Sequence, residues 1–486
     1  MSQFTRKSNE GFAWTPHQAT NGLFTAAVTD STPDLKDDYD VVVIGAGFSG
    51  LVAARDISRH ARVLLLDARD RIGGRTWTAS VFGEELEMGG TWVHWNQPHV
   101  YTEIHRYGLQ KNLKISTGAV AGDAVYYNHA GNAKKMNPQE FDDRSNAVTD
   151  AFFNIDGLKL QDYLPRPHEP LRHPELYAKY DKLSVQDRLD QLEFSDEDKS
   201  FMATLAGGFG LSHPRDVGFM EAANWFALVG GTNPGINEHC SKYKLGEGGT
   251  TSLARAIFED FSGDFASNSI VAKIFQSSAE VMITLKDGRA IHSRYCVSTI
   301  PLNVLKKVDF DPPLSQLKRE ASDIGMVTLG SKYHFQFSDK QPPFFAGASP
   351  QSAFGFSFSD HDTPSGQTLA IGFGNTGHVK EFRNAQEVIG SYQKLFPHRI
   401  NLQGYAIHDW RTDPFAESAW CTFRPSFASK YLKSLQESHG RRLFMASADW
   451  ADGWRGFIDG AIEQGTRNAV SVIGLLRKGE ESRARL

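Results

Sequence analysis

The chain has 486 residues, 40% of them hydrophobic, with 44 glycines and a formal net charge of −5. That length predicts two domains, the composition is that of a loop-rich α/β protein, and the charge leaves no basic footprint for nucleic acid. The three cysteines, at 240, 296 and 421, form no CxxC pair, so neither a metal site nor a disulfide framework is expected and a reducing interior compartment fits best. Residues 1–36 are polar and rich in Ser, Thr, Asn and Pro, and are expected to form a flexible extension outside the fold. They lack the hydrophobic core of a signal peptide, and no run of about eighteen apolar residues follows anywhere, so no membrane-spanning helix is expected.

Residues 41–44, Val-Val-Val-Ile, read as a parallel strand buried on both faces. GAGFSG follows, then a helical stretch with Leu51, Val52, Ala54 and Ile57, then the apolar run Val63–Leu66 ending in Asp67. A strand, GxGxxG, a helix and an acid at the end of the next strand form the whole dinucleotide-binding unit. Gly45 permits the tight turn, Gly47 lets backbone approach a pyrophosphate, and Gly50 lets the helix pack on the strand. The helix N-terminus faces the phosphates, and Asp67 is placed to accept from ribose hydroxyls. A second glycine set, Gly73-Gly74-Arg75 and then Gly89-Gly90-Thr91-Trp92, implies a second close backbone approach.

Further along, residues 244–251 (KLGEGGTT) open a helix with Leu253, Ala254 and Ile257 at core spacing. Strands are predicted at 269–276 and 281–285, with an Asp287-Gly288 hairpin turn and a further strand from Ala290. Cys296 falls in an apolar run and reads as a buried, inert thiol. Lys306-Lys307 precedes Val308-Asp309-Phe310-Asp311-Pro312-Pro313-Leu314; taken alone, such a pair is usually solvent-exposed. Residues 111–240 and 315–405 carry no such motifs. They hold a mixed pattern, with a helix predicted at 385–396 and strands at 331–337 and 367–373. Phe209, Leu211, Trp225 and Phe226 are candidates there to line an apolar cavity. Near the end, Ile458, Ala461, Ile462, Gly465, Ala469 and Val472 step by three and four, one apolar helix face.

DARDRIGGRTWT, residues 67–78, resembles the extended FAD signature of the flavin amine oxidase family. The chain is most similar to its soluble fungal monoamine oxidases, which hold FAD non-covalently. The resemblance implies an α/β fold of the monoamine oxidase or glutathione-reductase type. A Rossmann-like FAD-binding domain (37–110, 243–315 and 405–475) would carry an inserted α+β substrate-binding domain (111–242 and 316–404) and a polar tail, 476–486. It implies FAD contacts from Gly45, Gly47, Gly50, Asp67 (usually glutamate in the family), Arg69, Gly74, Arg75, Gly89, Gly90 and Thr91. Val271 would pack by the adenine, and Asp449 takes the place of the acid in the last FAD segment. Lys307 aligns with the lysine that holds a water at flavin N5. Trp420 and Phe457 take the places of two aromatics that cage the amine. The anchor position of covalent relatives is Ala419 here; Cys421 stands two residues away, so FAD is expected without a covalent bond.

The implied reaction oxidises a primary amine at its α-carbon by hydride transfer to flavin N5. The imine hydrolyses to aldehyde and ammonia, and O2 is reduced to hydrogen peroxide. Polyamine oxidase, L-amino acid oxidase and a non-catalytic flavin-binding protein are the alternatives; Thr91-Trp92 stands where amino acid oxidases carry a substrate-binding arginine. A homo-oligomer is expected. Ala484-Arg485-Leu486 is a variant of the C-terminal Ser-Lys-Leu address and implies a peroxisomal import receptor, the cytoplasm being the alternative.

Overall fold

The computed structural model describes residues 6–117, 122–375 and 377–484. Strand Asp38–Ile44 lies inside an eight-stranded sheet, and its residues Val41, Val42 and Val43 have no solvent exposure. It pairs in parallel with Val63–Leu66 on one side and Ala290–Ser298 on the other. Asp264–Ala266 extends the parallel part beyond Val63–Leu66, and Leu443–Met445 joins Ala290–Ser298 in parallel. The sheet then turns antiparallel through Val281–Leu285 and Val271–Gln276, and Asp309–Asp311 closes that edge in parallel.

Helix Phe48–Ser58 and helix Ile458–Ala484 pack together over this sheet. A Cβ at Gly465 would collide with the Ser49 carbonyl, so glycine sets the helix separation. Ile458, Ile462, Ala469, Val472 and Leu476 are buried, the apolar face predicted by spacing. The helix continues through Ala484, where a polar tail was expected, while Arg485 and Leu486 lie outside the described residues.

A second sheet has nine strands in the order Asn132–Met136, Ala124–His129, Phe344–Ala348, Phe354–Asp362, Thr368–Gly374, Ser331–Phe337, Leu402–Ile407, Phe12–Thr15 and Gln18–Asn21. One face stacks Phe335 on Tyr392, ring centroids 3.7 Å apart, beneath helix Ala385–Gln393. The other face turns toward the first sheet. A bulge between Phe354 and Phe356 switches side-chain direction. Phe354 therefore joins the Tyr392 core, while Phe356 and Phe358 face a cavity between the sheets.

The N-terminal segment corrects an expectation. Residues 6–36 are not an extension outside the fold. Phe12–Thr15 pairs with Leu402–Ile407, Phe24–Thr25 pairs with Thr78–Val81, and Phe12, Leu23 and Ala27 are buried. The polar composition misleads because short strands need few apolar side chains when neighbouring backbone satisfies their hydrogen bonds.

Candidate active site

One cavity of about 790 Å³ runs from the glycine turn after Asp38–Ile44 to the aromatic face of the second sheet. Gly45, with φ of +99°, makes that turn, and a Cβ there would collide with the Thr299 hydroxyl. Gly47 would meet nothing closer than the Gly74 Cα at 3.7 Å, so the two glycine motifs lie back to back. The N-terminus of helix Phe48–Ser58 opens on the cavity there, with Gly47 as its cap. A Cβ at Gly50 would strike the Gly45 carbonyl, which closes the helix onto the turn.

Asp67 is buried at the end of Val63–Leu66 and accepts from Ala46 N (2.6 Å) and Arg69 N (2.8 Å). Burial raises its pKa against those two donors and the Arg69 charge. The Arg69 guanidinium is tied to Asp413 (2.6 and 2.9 Å) and to Glu10, with Arg71 also on Glu10 (2.7 Å). Burial would raise the Glu10 carboxyl, but Arg71 and Arg69 hold it down at about 2. Arg69 borders the cavity, yet its charge serves this buried network, which joins the N-terminal segment to the C-terminal block.

Arg75 donates to the Ala419 carbonyl (3.1 Å) and to Asp449 Oδ1 (2.6 Å). Asp449 is fully buried, its other oxygen accepting from Leu302 N at 2.9 Å. Its carboxylate therefore holds Arg75 and is not part of the cavity wall. Gly89, Gly90 and Thr91 form a strip of wall beside Arg75 and Thr76, where a Cβ on either glycine would strike Arg75 or Thr76. Val271 borders the cavity two residues after Ser269, whose N–H donates to the Asp67 carbonyl at 2.7 Å.

Lys307 is not the lysine held on the glycine strip, and this corrects its expected place. Lys307 ends the short helix Leu302–Lys307 and donates to the Pro414 carbonyl (3.4 Å), next to the Asp413 that holds Arg69. Its ammonium is half-exposed and pairs with Glu417 at 2.5 Å. The buried lysine on the glycine strip is Lys332. It donates to the carbonyls of Glu87 (2.8 Å) and Gly89 (3.1 Å) and to Thr91 Oγ1, and lies 5.0 Å from the Trp92 ring centre. Burial pushes its pKa down to about 7. Sequence reasoning missed it, although a lone lysine within Ser331–Phe337, among aromatic neighbours, was a usable signal.

The aromatic end is assembled from separate segments. Trp420 donates to the Phe209 carbonyl at 2.6 Å, which fixes its indole, and Thr422 donates to the same oxygen. Gly456, with φ of +81°, lies so close that a Cβ would come 2.8 Å from Cys421 N. The chain bearing Phe457 therefore runs against the chain bearing Trp420, and both rings line the cavity. Trp225 sits between Phe209 and Phe457, with centroids 4.7 Å from each. Trp92, read in sequence only as part of the second glycine motif, and Phe356, Phe358 and Phe373, which sequence reasoning did not single out, complete the wall.

Two expected lining residues are elsewhere. Leu211 is buried behind the wall with Phe358, Ile371 and Phe373, and Phe226 stacks on Phe153 at 4.0 Å in the helical core. Both are apolar residues one or two positions from true lining residues: Leu211 follows the end of its helix with φ of +43°, and helix rotation turns Phe226 away from the cavity. Cys421 is buried with its thiol on the Asp449 carbonyl (3.3 Å), and burial pushes its pKa far up. Ala419 borders the cavity instead.

A glycine-lined groove with an acid at the second strand end, opening into an aromatic slot, defines a flavoenzyme site. Residues 48–473 match the family model of flavin containing amine oxidoreductases, and the chain belongs to that family. Its cofactor is FAD, and the cradle described above fits it. The chain is 33% identical to a pseudooxynicotine dehydrogenase of a Pseudomonas species, over 92% of this chain and 88% of that one. It is 32% identical to a nicotine dehydrogenase of Pseudomonas putida, over 97% and 99%. The fold matches cyclohexylamine oxidase from Brevibacterium oxydans with a TM-score of 0.72 at 19% identity, covering 90% of this chain and all of that one. Among the described residues no helix is long and apolar enough to cross a membrane.

Proposed function

We propose that this amine oxidoreductase oxidises primary amines to imines, with FAD bound non-covalently and O2 as the acceptor. The observation that carries the reading is the slot around Trp420 and Phe457, walled by aromatic rings, with the arginines that border the cavity, Arg69 and Arg75, tied to carboxylates. Such a slot excludes water, favours the neutral amine and orients its nitrogen between ring faces. The flavin, when bound, accepts the hydride from the substrate α-carbon. Lys332, Gly89 and Thr91 border the slot, and the role first attached to Lys307 passes to Lys332, whose ammonium is held on that strip. Ala419 offers no nucleophile, and the Cys421 thiol is turned to Asp449, which supports a non-covalent flavin.

An amino acid substrate needs a cation for its carboxylate. The arginines bordering the cavity, Arg69 and Arg75, are both tied to carboxylates at the nucleotide side, which argues against that class. A second reading rests on the two Pseudomonas relatives. Their names support a bulky heteroaromatic amine and an acceptor other than O2.

The test is anaerobic mixing with n-pentylamine while following flavin absorbance. Bleaching reversed by air, with release of peroxide, is the expected result. Bleaching that only a dye acceptor reverses would favour the second reading, and no bleaching with any amine would refute both. The C-terminal Ala484-Arg485-Leu486 supports a peroxisomal location. A fluorescent protein carrying this tail should enter peroxisomes, and one that stays cytosolic would refute that location.

A further inference from the structure

The cavity does not end at the aromatic slot. Helix Asp196–Gly210 lines it with Phe201, Thr204, Leu205 and Phe209, the stripe of a single helix face. Phe209 holds Trp420 through its carbonyl; Phe201 packs on Phe141 of helix Pro138–Phe153, centroids 5.0 Å apart. The distance between those two points is about 12 Å at the helical rise per residue. Pro138, Phe141, Asp142, Ser145 and Thr149 line the far end, again one face of a helix.

The chemistry changes along this path. Near Trp420 the wall is aromatic; at the far end it carries buried polar atoms able to accept hydrogen bonds and left without partners among the described residues. The Ser145 hydroxyl oxygen and the Asn233 amide oxygen are buried and have no hydrogen-bond partner among the described residues. Asn233 is fixed in that sense because its amide nitrogen donates to Asn146 Oδ1 (2.9 Å) and Thr149 Oγ1 (3.2 Å). Thr149 donates back to the Ser145 carbonyl at 2.7 Å, so Ser145 and Asn233 sit within one helical turn of each other. One turn earlier, Asp142 stands at the exposed mouth. Burial and the neighbouring Asp143 raise its pKa, and among the described residues no cation pairs with it. Asp67, the other acid bordering the cavity, belongs to the nucleotide end.

We propose that Asp142, Ser145 and Asn233 form a distal subsite for a second basic nitrogen, so that long diamines are preferred over monoamines of equal length. An ammonium group brings three donors and one charge, which matches one carboxylate and two unpaired acceptors. The proposal rests on the amine-oxidising reading of the Trp420 slot and names the substrate class that slot takes. A spacing of about 12 Å excludes short diamines, whose second nitrogen would lie against the aromatic wall.

The experiment compares α,ω-diamines from butane to decane with the matching n-alkylamines on the FAD-loaded enzyme. The readouts are flavin reduction and kcat/KM. The expected result is a diamine advantage that appears only in the longer members and falls at least fivefold in Asp142→Asn. Asp143→Asn, the neighbouring acid held by Gln139 (2.8 Å), should keep it. Equal kcat/KM for diamines and monoamines at every length would overturn the subsite while leaving amine oxidation standing. An advantage unchanged in Asp142→Asn, or lost equally in Asp143→Asn, would overturn it as well. Flavin that no amine reduces would overturn the amine-oxidising reading and the subsite with it.

Discussion

The two ends of the cavity are built on opposite principles. The nucleotide end is backbone: glycines whose missing Cβ atoms open the groove, a helix N-terminus, and Asp67 fixed by two backbone amides. Its arginines neutralise carboxylates of their own chain, Arg69 with Asp413 and Arg75 with Asp449. The amine end is side chain. Phe209, Trp225, Phe356, Phe373, Trp420 and Phe457 come from separate elements and meet because two sheets face each other. A backbone site is specified by short-range motifs, whereas a side-chain site is specified by the fold. Changes at the first should remove the cofactor, and changes at the second should spare it.

The largest effect is expected at the nucleotide end. Gly45→Val places a β-branched residue at φ of +99° with its Cβ against Thr299. Strain of that kind costs about 1–3 kcal/mol before the collision is counted. The purified variant should be colourless or fail to fold, and a yellow enzyme with ordinary flavin content would contradict the backbone account. Trp420→Ala comes next. The flavin should stay bound while amine reduction slows by about a hundredfold, in line with losing a substrate-positioning contact. Unchanged reduction kinetics would remove Trp420 from the site.

Legibility followed the same division. The glycine motifs, Asp67, Val63–Leu66 and the strands Val281–Leu285 and Ser331–Phe337 could all be read locally, since each is a short run with its own periodicity or turn residue. The site lysine could not be read from its motif, because Lys307 ends a short helix at the surface whereas Lys332 lies on a strand that the tertiary fold lays against the glycine strip. The same holds for Phe356 and Phe358, whose direction depends on a bulge at Gly355, announced locally only by a glycine inside a strand. The N-terminal segment was misread because its stability comes from pairing with residues almost 400 positions later, Phe12 with Ile407.

The two lysines give the third prediction. Lys332→Met should change the reaction of reduced flavin with its acceptor by at least about tenfold, as expected for losing a buried, positioned cation. Lys307→Met should change it by less than about twofold, since its ammonium ends on Glu417 in solvent. The reverse pattern would restore the lysine assignment implied by the sequence resemblance.

The smallest effect concerns stability at the amine end, two residues after Phe457. Asp459 is buried, with one oxygen accepting from Val100 N at 2.8 Å and the other without a partner. Burial raises its pKa from an ordinary carboxylate value to about 7. The folded state therefore binds more protons than the unfolded chain between roughly pH 4 and pH 7, so this group's contribution to stability falls as pH rises through that window. Asp459→Asn keeps the acceptor for Val100 and removes the charge. The variant should match the parent near pH 4 and exceed it by about 2 kcal/mol above pH 7, half of what so large a shift would carry in full. Denaturant unfolding of the FAD-loaded enzyme at both ends of the window measures the difference. A gain independent of pH would mean that the amide packs better than the acid whatever its charge. No gain at high pH would mean that water already solvates the free oxygen, so that the contact with helix Pro98–Arg106 is wetter than its burial implies.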